Sequence, residues 1–265
     1  MEPAKQPRIL AFVNQKGGVC KTTIAAQIAY ALALRGKKVL AIDMDPQGNL
    51  TTALDAQGWA NAPGDDYGPP TGTYWTLDNR RLGNFVSVRT NLDIMPTDIG
   101  LAKAEMGFIS RPDYQFLLTK AIQATPLHYD FIIIDSPPNL GLLTINTLLA
   151  AREVIIPLTC DTYAFNGLSA LTETIGVIKT MNPSLFLSGV VAARVNAQRN
   201  IDKESLQKMT EMFPDILFQA RIPENTALKE AGGLGKSIWE HASGSLAAVA
   251  FDTLCDEILE RGARG

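Results

Sequence analysis

The run Phe12-Val-Asn-Gln-Lys16-Gly17-Gly18-Val19-Cys20-Lys21-Thr22-Thr23 gathers two lysines, two adjacent glycines and two threonines behind an apolar, strand-like segment and ahead of a helical pattern. That is the context in which a loop can hold phosphate. Glycines let backbone N–H groups wrap phosphate oxygens, and the helix N-terminus adds the positive end of its dipole. Lys21 is then placed to reach the β- and γ-phosphates, and the Thr22 hydroxyl to ligate Mg²⁺. The run departs from the plain pattern G-x-x-x-x-G-K-[ST]: Gln15 stands where the first glycine belongs, Cys20 where the second does, and an additional lysine, Lys16, opens the loop. Two carboxylate motifs follow. Ala41-Ile-Asp43-Met-Asp45-Pro46-Gln47-Gly48-Asn49 closes one apolar run, and Phe131-Ile-Ile-Ile-Asp135-Ser-Pro137-Pro138 closes another. The carboxyl ends of strands in open α/β sheets are where ligands bind. Asp135 is expected to act through the Mg²⁺ shell, since Mg²⁺ keeps waters and takes few protein carboxylates.

The elements that must position these groups alternate along the chain. Strands are expected at Arg8–Asn14, Lys38–Asp43, Leu92–Pro96, Asp130–Asp135, Glu153–Leu158, Phe186–Val195 and Ile216–Ile222. Several are apolar almost throughout, as in parallel strands buried on both faces. Helices are expected at Lys21–Arg35, Asp113–Ala124, Leu140–Ala151, Ala164–Met181, Asp202–Phe213 and Ser245–Arg261. The alternation predicts an α/β fold, a doubly wound, mostly parallel sheet with helices on both faces. No repeat or linker divides the chain, so residues 1–265 read as one domain. One irregular stretch, Asp55–Gly83, is rich in Gly, Pro, Asn and Asp. Its Trp59, Tyr74 and Trp75 would either meet a partner or pack beneath the loop.

Composition bounds the function class. The 265 residues carry 24 Lys+Arg against 27 Asp+Glu, a net charge of −3, with 46% hydrophobic residues. This excludes global disorder and wholesale coating of nucleic acid while permitting a local basic patch. The first 38 residues hold seven Lys/Arg and one acid, Glu2, which suggests an anion site near the start. Cys20, Cys160 and Cys255 are odd in number and far apart, which fits a reducing compartment better than a disulfide framework. The sequence contains no apolar run of membrane-spanning length and no secretory h-region, so a cytoplasmic location is expected.

The arrangement K-G-G-x-x-K-T resembles the deviant Walker A box of the ParA/MinD family of P-loop partitioning and positioning ATPases. The similarity continues through Asn91-Leu-Asp-Ile-Met-Pro96, Leu140-Gly-Leu-Leu-Thr144, Val154–Leu158, Tyr163–Leu171, Ala220-Arg-Ile-Pro-Glu-Asn225 and Lys229-Glu-Ala-Gly-Gly-Leu-Gly-Lys236. The resemblance implies a P-loop fold of the deviant Walker A type and ATP bound with Mg²⁺. It implies a nucleotide-sandwich homodimer in which Lys16 reaches the partner's phosphates. It places ATP against Lys16, Gly17, Gly18, Val19, Cys20, Lys21, Thr22 and Thr23, with the adenine near Pro223 and Asn225. Asp135 corresponds to the Walker B carboxylate. Thr22, Asp43 and Asp135 lie at the metal, and Asp45 positions the attacking water. A thiolate at Cys20, sensitised by the loop's positive field, is a further possibility.

Relatives of this kind commonly bind nonspecific DNA as ATP dimers, and hydrolysis is slow until a cognate partner protein accelerates it. Where their pattern reads Arg-Thr-Asn-Leu, this chain has Gln198-Arg199-Asn200-Ile201. Where it reads Pro-Arg-Asn-Val-Arg-Leu, this chain has Pro223-Glu-Asn-Thr-Ala-Leu228. Residues 194–236 hold seven Lys/Arg and six Asp/Glu, so the remaining DNA candidates are Arg199, Lys203, Arg221, Lys229 and Lys236. The amphipathic tail that MinD-like proteins lay on membranes is not evident after Leu259. The fold also hosts iron–sulfur carriers and reductases, which would need cysteine ligands, and ATP-dependent synthetases, which would need a pocket for a small acid.

Overall fold

Four of the eight strands, β1 (Arg8–Phe12), β2 (Val39–Asp43), β5 (Phe131–Asp135) and β6 (Glu153–Thr159), pair side by side at the centre of one sheet and are buried over most or all of their length. That is why these segments read as continuous apolar runs. The computed structural model describes residues 6–61, 71–126, 128–161, 165 and 167–262. The other strands are β3 (Val86–Arg89), β4 (Leu92–Met95), β7 (Phe186–Val195) and β8 (Leu217–Pro223). The order across the sheet is β3-β4-β2-β5-β1-β6-β7-β8. All neighbours are parallel except the β3–β4 pair, which is antiparallel.

The helices are α1 (Lys21–Leu34), α2 (Asn49–Ala53), α3 (Thr73–Asn79), α4 (Gly100–Phe108), α5 (Leu117–Gln123), α6 (Leu142–Ala150), α7 (Leu168–Met181), α8 (Asn200–Met212), α9 (Thr226–Gly233), α10 (Ile238–Ala242) and α11 (Leu246–Gly262). On one face of the sheet Leu10, Phe12, Ala41 and Ile133 pack against Ile24, Ile28 and Leu32 of α1 and Phe251 and Leu254 of α11. On the other face Val13 and Ile156 meet Leu171 and Ile175 of α7, while Ile42 and Ile134 meet Leu117 of α5 and Leu143 of α6. The alternation of side chains along each strand feeds both cores at once. Helix α1 is buried almost all round, and its alanines (Ala25, Ala26, Ala29, Ala31 and Ala33) admit this close packing between sheet and α11.

The doubly wound sheet agrees with the sequence reading, which missed its shorter elements. Strand β3 and helices α2, α3, α4, α9 and α10 were not expected. Within the Asp55–Gly83 stretch, a turn of 3₁₀ helix at Trp59–Asn61 and the whole of α3 are regular structure; residues 62–70 lie outside the described residues. Trp59 packs so tightly on Gly72 that a Cβ there would meet its ring at 2.7 Å, and Tyr74 stacks 6.0 Å from Phe108. Packing therefore accounts for Trp59, whereas Tyr74 and Trp75 keep exposed surface. The helix expected from Ala164 begins at Leu168, behind Gly167 at φ 81°; Ala164 and Tyr163 lie outside the described residues.

Candidate nucleotide site at the carboxyl edge of the sheet

The loop after β1 is tied down before it reaches its glycines. Val13 N–H donates to the Ile155 carbonyl at 3.1 Å. Buried Asn14 donates through Nδ2 to the Pro157 carbonyl at 2.7 Å and accepts the Lys16 N–H on Oδ1 at 2.9 Å. The sequence alone gives Asn14 no role, although a polar residue at the end of an apolar strand is the signal that points to it. Gly17 and Gly18 are exposed, and a Cβ on either would meet nothing within 4 Å, which leaves the backbone N–H groups approachable. Gly18 and Cys20 both adopt left-handed backbone, with φ 74° and 65°. Glycine takes that conformation freely; cysteine pays about 1 kcal/mol for it. Helix α1 then starts at Lys21 with no acidic residue in its first turn, so its dipole is left to act on a ligand.

Register brings the carboxylates under this loop. Phe12 and Asp43 are both Cα partners of Asp135 across the parallel ladders. The Thr22 hydroxyl donates to Asp135 Oδ2 at 2.6 Å, whereas the buried Asp135 Oδ1 has no hydrogen-bond partner among the described residues. Burial raises the Asp135 carboxyl well above the usual range; the nearby Lys21 ammonium and the Thr22 hydrogen bond oppose that, and Asp45 adds to it. Lys21 itself is only 7% exposed. Asp43 is fully buried, and its carboxyl is also raised, first by burial and then by the charge of Asp135. A divalent cation beside Asp135 would offset the charge that burial penalises, so the orphaned Asp135 oxygen, the Thr22 hydroxyl and the neighbouring carboxylates fit Mg²⁺ chemistry.

Asp43, the register partner of Asp135, has both carboxylate oxygens engaged by the following turn. Its Oδ2 accepts from Thr51 N–H and Thr51 Oγ1, both at 2.8 Å, and its Oδ1 accepts from Asp45 N–H at 3.2 Å. It thus binds the following turn to β2 and orients Asp45. Thr51, another residue the sequence reading missed, also accepts Thr97 N–H at 3.0 Å. Asp45 is buried and its Oδ1 accepts Gln47 N–H at 3.1 Å.

Lys16 reaches sideways, its ammonium 2.6 Å from each oxygen of Asp161, and the Thr159 hydroxyl donates to Asp161 at 2.6 Å. Pro223 closes β8. Asn225 caps α9, its Oδ1 accepting Ala227 N–H at 2.8 Å. Glu224, between them, accepts from Arg194 and Arg199, each at 2.9 Å. Burial holds the Cys20 thiol above its ordinary value despite the opposing charges of Arg194 and Lys229. This runs against the sensitised thiolate, the lesser of the two readings of Cys20 that the sequence allows.

The DNA candidates do not behave as a set. Lys203, Lys229 and Lys236 are exposed, and Arg199 is exposed but paired with Glu224. Arg221 turns inward, donating to the Phe218 and Ala220 carbonyls, and burial lowers its affinity for its proton. Cys160 and Cys255 lie in the cores on opposite faces of the sheet, where burial pushes their thiols up to about 11 and about 12. Ligating thiolates need the opposite shift.

Residues 7–187 match a family model described as an AAA domain. The sporulation initiation inhibitor protein Soj of Bacillus subtilis is 36% identical over 258 residues, covering 96% of this chain and 99% of its own. The chromosome-partitioning ATPase Soj of Treponema pallidum is 35% identical, covering 96% and 98%. Among solved structures, the ADP- and magnesium-bound protein from Mycobacterium smegmatis described as cobyrinic acid a,c-diamide synthase superposes with a TM-score of 0.81 at 29% identity, over 97% of this chain and 96% of that one. Apo McdA of Cyanothece has the same fold, with a TM-score of 0.80 at 23% identity over 96% and 100%. With its two-lysine loop and strand-end carboxylates, the chain belongs to the ParA/MinD family of deviant Walker A ATPases.

Proposed function

We propose that this protein is an ATP- and Mg²⁺-dependent, dimerising ATPase that partitions or positions cargo, a plasmid, a chromosome region or a protein assembly. The observation that carries the reading is the Thr22–Asp135 contact of 2.6 Å under a loop bearing both Lys16 and Lys21. The backbone of residues 17–23 would wrap the phosphates, Lys21 would balance their charge, and Pro223 and Asn225 would border the adenine. Mg²⁺, when bound, supplies charge stabilisation for phosphoryl transfer and would be held by Thr22 and Asp135, with Asp43 behind them. Asp45, oriented through its backbone by Asp43, positions the attacking water. Lys16 acts across the dimer, where excluded water strengthens its effect on developing phosphate charge. Residues 1–265 act as one domain in the cytoplasm, and hydrolysis is slow until a cognate partner protein stimulates it. The ATP dimer binds nonspecific DNA, and so the nucleoid, through Arg199, Lys203, Lys229 and Lys236.

The test is fluorescence anisotropy of a nonspecific duplex titrated with ATP, ADP or no nucleotide, at several salt concentrations. Binding with ATP only, weakening with salt, is expected. Intact ATP-dependent dimerisation with no DNA binding in any state would remove DNA from the proposal.

An ATP-dependent synthetase is the second reading, favoured by the likeness to the Mycobacterium smegmatis protein. Stimulation of ATP turnover by cobyrinic acid, but not by DNA with a partner protein, would replace the first reading with this one.

A further inference from the structure

Asp43 ends β2 fully buried, and the turn that follows supplies the donors for its carboxylate. Helix α2 is five residues long, too short to hold itself, and its N-cap, Gly48, has no side chain with which to satisfy the first amides. Asp43 takes over that work. Its Oδ2 accepts the Thr51 N–H, from the third residue of α2, at 2.8 Å, and its Oδ1 accepts the Asp45 N–H at 3.2 Å. Asp45 closes two local bonds besides, its Oδ1 accepting Gln47 N–H and its carbonyl accepting Gly48 N–H at 2.9 Å. The direction of the Asp45 carboxylate is thus tied to the rotamer of Asp43.

That rotamer is set from outside the turn. The Thr51 hydroxyl donates to Asp43 Oδ2 at 2.8 Å and accepts the Thr97 N–H at 3.0 Å, so one oxygen joins the end of β2 to the chain just beyond β4. Thr73, in the first turn of α3, donates its hydroxyl to the Asp43 carbonyl at 2.7 Å and its N–H to the Pro96 carbonyl at 2.8 Å. Gly48 lies against the same segment, where a Cβ would fall 3.3 Å from the Thr97 carbonyl. Thr51, Thr73 and Thr97 are each no more than 4% exposed, so water does not compete for these bonds.

We infer that Thr51, backed by Thr73, is a positioning residue for the Asp45 carboxylate: its hydroxyl locks Asp43 against the 96–97 segment, and Asp43 passes that fixed orientation to Asp45. The inference rests on the reading of Asp45 as the group that positions the attacking water. Hydrolysis then depends on how α3 and the end of β4 sit against β2, a dependence that nucleotide binding does not share.

The test compares Thr51→Val, which keeps the branched shape and removes the hydroxyl, with Thr51→Ser, which keeps the hydroxyl. Phosphate release gives kcat, a fluorescent ATP analogue with Mg²⁺ gives Kd, and amide hydrogen exchange follows residues 44–51 in the nucleotide-free chain. Thr51→Val should lower kcat about tenfold, the worth of one hydrogen bond to a charged group, while Kd stays within about twofold. Exchange at residues 44–51 should quicken in the same variant. Thr51→Ser should recover most of both losses. Thr73→Val cuts the other tie to Asp43 and serves should Thr51→Val fail to fold; it should show the same split, with kcat down about threefold. In an Asp45→Ala background Thr51→Val should lower kcat no further, because Thr51 acts through Asp45. Wild-type kcat in both Thr51→Val and Thr73→Val, with Asp45→Ala impaired, would overturn this inference and leave the reading of Asp45 standing. Equal losses of kcat and ATP affinity, or failure of Thr51→Ser to rescue, would reduce Thr51 to a structural role and overturn it too. Wild-type kcat in Asp45→Ala would remove the reading of Asp45 and this inference together.

Discussion

Asp45 and Cys20 show how single side chains in the loops are set by neighbours distant in sequence. Asp45 gives its N–H to Asp43 and accepts Gln47 N–H, so its carboxylate is held without a cation. Asp45→Ala is expected to reduce ATP hydrolysis by roughly 10²–10⁴-fold, the usual contribution of a positioned base, with ATP affinity nearly intact. Phosphate release measured beside equilibrium binding checks this, and wild-type turnover would take Asp45 out of the mechanism. Cys20 sits in the loop's positive field, yet burial outweighs Arg194 and Lys229 and raises its thiol. Iodoacetamide should therefore modify Cys20 more slowly than a free cysteine at pH 8, as followed by mass spectrometry. Faster modification would mean that the field prevails over burial.

At the scale of elements, the outer strand β8 exposes an edge that invites pairing with another chain. Helix α11 covers it. Glu257 accepts Gln219 N–H and Ala220 N–H, both at 2.8 Å. Arg261 donates to the carbonyls of Ser188, Ile216 and Leu217 at 2.8–3.1 Å and stacks 3.9 Å over Phe218. Phe218 in turn fills the space beside Gly189, where a Cβ would overlap its ring. Glu257→Ala strips two strand donors of their acceptors and should cost about 1–3 kcal/mol in urea unfolding. An unchanged midpoint would show that water serves these donors equally well. The same logic explains α9 and α10. Each is short, and each is secured by a side-chain cap, Asn225 for α9 and Ser237 with Glu240 for α10.

For the whole molecule, the site is a product of strand order. β1 lies between β5 and β6, so one loop rests against Asp135 on one side and Thr159 and Asp161 on the other. Ligand binding at such a junction should stabilise the entire sheet. ATP with Mg²⁺ at a hundredfold excess over Kd is expected to add about 2.7 kcal/mol to unfolding, seen as a rise in Tm. Lys21→Ala should abolish that rise while leaving the unliganded Tm close to wild type. A full shift in Lys21→Ala would place the nucleotide elsewhere.

The features legible in the sequence are those carried by contiguous residues. The loop from Phe12 to Thr23 contains its own glycines, lysines and threonines, and the central strands announce themselves because burial on both faces demands unbroken apolar runs. Family membership and the doubly wound sheet follow from these. Strand β3, Val86-Ser-Val-Arg89, is too short and too polar to show such a run, because it lies at the edge with its residues only partly buried. The partners of charged groups were likewise hidden. Lys16 and Asp161, Asp43 and Thr51, and Arg194 and Glu224 meet only because of which strands are neighbours and in what register. Sequence spacing specifies which groups are available for chemistry. Tertiary structure decides their counter-ions, since an ion pair across a sheet depends on distances that only packing sets.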